Sequence, residues 1–342
     1  MRSLLVLLIS SSAAAFGQTA VVAIQSAPQS RSVPVPARRK SAIGVPTLGF
    51  VLAADGSGLT PMRGLASAPF AGETIAKPAG VRRILLPPRQ HYALVEQTSP
   101  DSVAIWDLAV RRAVAGRELV SPIAGVATRA DLVSFSPTGR AAAFYYAAKA
   151  QVQVVTGLPG MPEVQTPVSA HLSAEITNLL ISDDGQIIAG ISANGQMTLS
   201  SGNTPMRLMP WTYVPRTASF VSNTHNLLIS DAGQKQLVLL ENVDAQNSSP
   251  VVIGSGLEPD HLAVCSHGDS MIALDSIQQR LWQIDSISFA VTSLRLTQQA
   301  DMLVSLRDGH TFLLSVSPLS VVKIDDASGS NLAAGAASGV NQ

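Results

Sequence analysis

Asp260, His261, Cys265 and His267 lie close together in the chain and offer the oxygen, nitrogen and sulfur donors that bind transition metals. If this stretch is a strand, positions 261, 265 and 267 share a face, but at about 3.3 Å per residue the outer two stand about 20 Å apart. One ion cannot bridge that distance. A ligand set would need side chains from a neighbouring element, which spacing along one strand does not reveal, so no metal is expected. The remaining histidines, His91, His171, His225 and His310, are scattered. Cys265 is the only cysteine, which excludes an intrachain disulfide. In the apolar run His261-Leu262-Ala263-Val264-Cys265 it reads as a buried structural thiol rather than a nucleophile.

Two acidic pairs, Asp183-Asp184-Gly185 and Asp325-Asp326, lack the alternating oxygen ligands of a Ca²⁺ loop. Turn chemistry accounts for the first: Asp side chains accept from nearby backbone amides, and Gly supplies a positive φ. There is no Gly-x-Ser-x-Gly elbow, and the serines fall at turns and strand ends without a paired His and acid. No catalytic residue and no cofactor are expected from these motifs.

The elements that would position such side chains are more legible. Leu132-Val133-Ser134-Phe135 and Ala141-Ala142-Ala143-Phe144 read as two short apolar strands joined by the turn Ser136-Pro137-Thr138-Gly139-Arg140. Aligning the turn glycine gives Gly139, Gly185, His225 in the glycine slot, and Gly268, spaced 46, 40 and 43 residues apart. Gln90 upstream and Ala300 downstream extend the register to six copies. Within the copy from Val81, strands are expected near residues 83–86, 92–96, 103–108 and 115–119. From Ile176 they are expected near 179–182, 187–192, 196–200 and 206–209. A period near 40 residues, four short strands per copy and almost no helical spacing indicate a ring of four-stranded sheets, an all-β propeller.

A seventh unit is expected to be split across the termini. Residues 49–54 and 59–63 form a hairpin, an outer strand follows near 73–75, and residues 320–324 could supply the missing innermost strand. Joining both termini would remove the largest open sheet edge. The expected architecture is thus a single-domain β-propeller over 46–326, with seven blades preferred and six or eight as the alternatives.

The ends differ in character. Residues 1–17 have the pattern of a secretory signal: Arg2, an apolar core from Leu4 to Ile9, and Ala15-Phe16-Gly17 as a small-x-small cleavage site. That predicts a secreted or periplasmic protein without stable membrane insertion, since the apolar run is shorter than the roughly 20 residues a span needs. Residues 18–45 read as a flexible linker, and 327–342, rich in Ala, Gly, Ser and Asn, as a mobile tail. Twenty-three basic and 23 acidic residues give no net charge, which argues against nucleic acid as a partner. A composition 46% hydrophobic and 13% charged is that of a folded chain. A monomer is expected.

Two features resemble the WD40 and YVTN-type β-propeller superfamily. The Ser-Pro-Thr-Gly turn and its relative Ser182-Asp183-Asp184-Gly185 look like the turn between the first two strands of such blades. Val103-Ala104-Ile105-Trp106-Asp107-Leu108 looks like a third strand ending in the Trp-Asp pair. The pair occurs once and the Tyr-Val-Thr-Asn sequence is absent, so the resemblance implies a fold and no particular activity. Propellers of this loose type include binding scaffolds, lactonase-like enzymes and quinone-dependent dehydrogenases.

In a propeller, the loops leading into each innermost strand open on the same face as those joining second and third strands. Here they hold Trp211, Tyr213 and Arg216; Tyr145, Tyr146 and Lys149; and Arg129, Asp131, Glu175 and Asp260. Four of the 15 aromatic residues fall in two of these loops. Aromatic and arginine side chains anchor binding sites, although large aromatics also pack between sheets. Two functional readings follow. One is a non-catalytic scaffold that binds a protein, peptide or glycan through this face. The alternative is a lactonase-like hydrolase with its site at the mouth of the central channel.

Overall fold

A computed structural model describes residues 45–108, 120–170, 175–209, 212–245, 248, 250–265, 268–316, 318–324 and 333–336. Seven antiparallel sheets follow one another along the chain, each a blade of a β-propeller. Blade four shows the pattern, running outward through Ile176–Ile181, Ile187–Ser192, Met197–Ser201 and Arg207–Leu208. Blade three doubles its outer edge, because Glu163–Val164 and Val168–Ser169 both pair with Gln151–Thr156. Blade one does the same with Ala68–Ala71 and Ile75–Ala76, both on Gly58–Leu65. Among the described residues the only helical element is a 3₁₀ turn, Ala147–Lys149.

The strands are unbroken apolar runs because each inner strand has a blade against both of its faces. Ile187–Ser192 and Ser270–Asp275 are buried at every position, whereas the outer strand Val291–Arg295 is almost wholly exposed. The core is accordingly divided into seven clusters, one between each pair of neighbouring blades. The last of these, Val51, Met62, Leu306, Leu313 and Val321, joins blade seven to blade one.

The turn between the first two strands of blade three is as expected. Gly139 N–H donates to Ser136 O at 2.9 Å, and Gly139 has φ +70°. A Cβ there would also come within 2.9 Å of Pro88 O in blade two. Two other turns are in a different register from the one the spacing suggests. In blade five the equivalent bond is Thr224 N–H to Val221 O at 3.2 Å, so Thr224 and not His225 fills the slot, and Asn223 takes the positive φ of 57°. In blade seven it is Gly309 N–H to Leu306 O at 3.0 Å, and Ala300 lies in the connection before Val304–Ser305.

The termini meet differently from the split-blade expectation. Blade one already has its own innermost strand, Thr47–Leu52. Leu319–Lys323 is the third strand of blade seven, paired with Thr311–Val316. Part of the expected mobile tail is structural as well, since Ala333–Ala336 pairs with Leu319–Lys323 as that blade's outer strand. In blade two the described outer strand is Val120–Pro122, and residues 115–119 lie outside the described residues.

Candidate functional site

The innermost strands surround a central cavity of about 550 Å³ to which all seven blades contribute. Its waist is apolar: Phe50, Ile84, Val133, Leu179, Ala218, Leu262 and Leu303 each come from a different blade. One residue earlier in the strands the lining turns polar, with Arg83, Asn178, Thr217 and His261 beside Leu132 and Met302. One residue earlier again, three blades place a carboxylate: Asp131, Asp260 and Asp301. Chain direction puts these aspartates at the end of the channel where the loops leading into the innermost strands gather.

The three acids share one backbone setting. Asp131 N–H donates to Tyr145 O at 2.8 Å, Asp260 N–H to Leu274 O at 2.9 Å and Asp301 N–H to Leu314 O at 2.9 Å. Their side chains differ in how firmly they are held. Ala147 N–H donates to Asp131 Oδ2 at 2.7 Å, tying that carboxylate to the loop after its own second strand. Asp260 is tied to the matching loop of blade six by Ser276 N–H at 2.9 Å and by the Ser276 hydroxyl. Asp301 is exposed at the mouth. Arg83 spends a guanidinium N–H on Ala130 O at 3.1 Å, bridging blades two and three. Asn178 is buried at the channel wall, and its Oδ1 has no hydrogen-bond partner.

Of the residues singled out by sequence, Asp131 and Asp260 line this channel. Tyr145 and Tyr146 do not project as loop aromatics. They end the second strand of blade three, Ala142–Tyr146, whose two faces both meet other blades, so alternation buries one in each neighbouring core. Tyr146 OH donates to Ala127 O at 2.5 Å, and the Lys149 ammonium lies 5.7 Å from its ring centre. Burial pushes both phenols up; for Tyr145 the charges of Glu175 and Asp131 add to it.

Tyr213 is half-buried against the core between blades four and five and lines a side groove with Met209 and Val214. Arg216 is half-buried, while Arg129 and Glu175 are exposed. Trp211 lies outside the described residues, as do His171 and His267.

Sequence reasoning missed Asp301, His261, Asn178 and Arg83 as channel residues. A signal for the first existed: Asp131-Leu132-Val133, Asp260-His261-Leu262 and Asp301-Met302-Leu303 repeat acid, variable, apolar at the same place in three blades. Placing Ala300 in a turn concealed it.

The channel acids do not converge. Among the described residues, the only group of three or more His, Cys, Asp or Glu whose ligand atoms all lie within 4.8 Å is Cys265, Asp269 and His310. Those residues belong to the turns after the innermost strands of blades six and seven, at the other end of the ring.

No protein-family model matches the chain, and no curated protein matches it. Among solved structures it is similar to a functionally unknown protein from Desulfotomaculum acetoxidans, with a TM-score of 0.53 and 12% identity over 86% of this chain and 96% of that one. It is also similar to the β-propeller domain of Myceliophteria thermophila Cps50 (Swd1), with a TM-score of 0.46 and 16% identity over 60% of this chain and 70% of that one. Kuenenia stuttgartiensis hydrazine synthase gives a TM-score of 0.48 and 10% identity over 84% of this chain and 99% of that one. At such identities likeness concerns the fold, and activity does not travel with it. The strand order makes the chain a seven-bladed β-propeller, the fold it shares with the Desulfotomaculum acetoxidans protein.

Proposed function

We propose that this chain is an exported, non-catalytic scaffold that binds a peptide or protein segment at the mouth of its central channel. The observation that carries the reading is the placement of Asp131, Asp260 and Asp301, from three blades, above a waist of seven apolar side chains. A segment with an arginine or lysine beside an apolar residue fits both levels: the cation meets a carboxylate at the rim and the apolar group enters the waist. Two of the acids support binding over catalysis, because Asp131 and Asp260 are held by Ala147 and Ser276 of their own blades instead of facing a shared reaction centre. His91, His225 and His261 point the same way, as none of them is hydrogen-bonded to a serine.

Fluorescence-polarisation titration with a set of peptides scanned by arginine tests this reading. Binding should need the cation, weaken with salt, and fall by about tenfold in the Asp131→Asn/Asp301→Asn double variant at an unchanged thermal midpoint. Asparagine keeps an acceptor for Ala147 N–H, so the fold is spared. Equal binding by the variant overturns the reading. Turnover of a lactone by the wild type, lost in the variant, replaces it with hydrolysis at the channel mouth.

A further inference from the structure

We infer that Cys265, Asp269 and His310 form a transition-metal site, best suited to Zn²⁺, that clamps the turns of blades six and seven together. Their Sγ, carboxylate and ring-nitrogen donors all lie within 4.8 Å of one another. Zinc bonds of about 2.0–2.3 Å at tetrahedral angles put ligand atoms about 3.5 Å apart, so modest side-chain rotation closes the set.

The backbone around each donor is held independently of any ion. Cys265 N–H donates to Ser270 O at 2.8 Å, and Cys265 O accepts from Gly268 N–H at 2.8 Å and from Ser222 Oγ of blade five at 3.2 Å. Asp269 O accepts from Ser286 N–H at 3.0 Å. His310 N–H donates to Asp308 Oδ1 at 3.0 Å, and His310 O accepts from Ile324 N–H at 2.9 Å. The backbone of each donor residue is thus fixed by hydrogen bonds of its own.

A second observation points to a cation. Asp269 Oδ1 is shut off from solvent and has no hydrogen-bond partner. A buried carboxylate oxygen without a donor is costly, and a bound cation removes that cost. Thiolate and imidazole donors select zinc over calcium or magnesium, which take oxygen. Cys265 is fully buried while Asp269 and His310 are partly exposed, so the thiolate is the innermost donor of the set. The site sits at the opposite end of the ring from the channel acids and is independent of the binding function proposed for them.

The test uses the full chain, purified without metal and titrated with Zn²⁺ against a chromophoric chelator. One equivalent should bind with a Kd near or below about 1 µM, and the thermal midpoint should rise by about 5 °C at a hundredfold excess over Kd. Co²⁺ in place of zinc should give the near-ultraviolet charge-transfer band of a metal–thiolate bond. Cys265→Ala should abolish that band and weaken zinc binding by about a hundredfold, and His310→Gln should weaken it by at least about tenfold. If Cys265→Ala does not fold, His310→Gln and Asp269→Asn carry the test. No saturable binding, cobalt bound without the band, or affinity unchanged in the variants overturns the proposal.

Discussion

His225 lies between two carboxylates of the turn face, Asp184 at 2.8 Å and Asp244 at 3.0 Å. Burial works to lower its pKa, but the hydrogen bonds and charges of the two aspartates outweigh it and hold the imidazole above its ordinary 6.5. Asp184 is shifted the opposite way. Burial raises it, yet hydrogen bonds from Ser182, Gln186 and His225 together bring it below 3.8. A raised histidine contributes stability below its unfolded pKa and loses it as pH rises through the folded one; a depressed carboxylate loses its contribution on acidification. The contact should thus stabilise most between about pH 4 and 6.5. The thermal midpoint of the wild type should fall relative to His225→Gln by about 1–2 °C between pH 6 and 8, a small effect because these side chains are a quarter to a half exposed. Parallel curves for the two proteins would show that folding does not shift the histidine's pKa. Half of this contact was legible in the sequence. Asp184 was readable as a turn residue that accepts from Gln186 N–H, but its partner 41 residues onward depends on how two blades sit side by side. The cluster of Cys265 with Asp269 and His310 was hidden for the same reason, since spacing along one strand carries no information about the next blade.

Among the elements, the turn after an innermost strand does more than reverse the chain. Asp183 Oδ1 accepts from both the N–H and the hydroxyl of Thr138 in blade three, and Oδ2 accepts from Asn223 N–H in blade five at 2.7 Å. One side chain in blade four thus latches three turns. Hydrogen bonds to a charged acceptor contribute about 1.5–3 kcal/mol each, and Thr138 is buried. Asp183→Ala should cost about 3 kcal/mol in urea unfolding, and Asp183→Asn, which keeps one acceptor oxygen, about half as much. A loss below about 0.5 kcal/mol in the alanine variant would mean that water replaces the latch. Strand positions were largely legible because apolar runs bounded by Ser, Pro, Asp and Gly mark fully buried strands; Ile176–Ile181 through Arg207–Leu208 lie within a few residues of expectation. Register was less so. Where glycine is absent, as at Thr224, the turn has no unique marker, and a shift of one residue followed. The tyrosines at 145 and 146 read as loop residues because a strand with both faces buried does not alternate.

At the scale of the whole ring, closure is the weak point, since blades one and seven come from opposite ends of the chain and share no strand. Packing and hydrogen bonds from Arg307 join them. Leu306 and Leu313 meet Val51 and Met62, Arg307 N–H donates to Leu48 O at 2.9 Å, and the Arg307 side chain reaches across blade one to His91 Nδ1 at 3.4 Å. The next interface is fastened more firmly: Gln90, wholly buried, accepts from Phe50 N–H at 2.6 Å and donates to Phe50 O at 3.1 Å. Any other interface that opens leaves its two blades tethered through the chain, whereas opening between blade one and blade seven releases both ends and bares two apolar sheet faces. Equal losses of packing should therefore have unequal consequences. Leu306 and Leu228 are both fully buried leucines, one at the closure and one between blades five and six. Each substitution by alanine should cost about 2–5 kcal/mol. At matched loss of stability, only Leu306→Ala should give concentration-dependent oligomers in size-exclusion chromatography below its thermal midpoint, with faster proteolysis near both termini. If Leu228→Ala oligomerises as readily, the ring opens as one cooperative unit and its seam has no special standing.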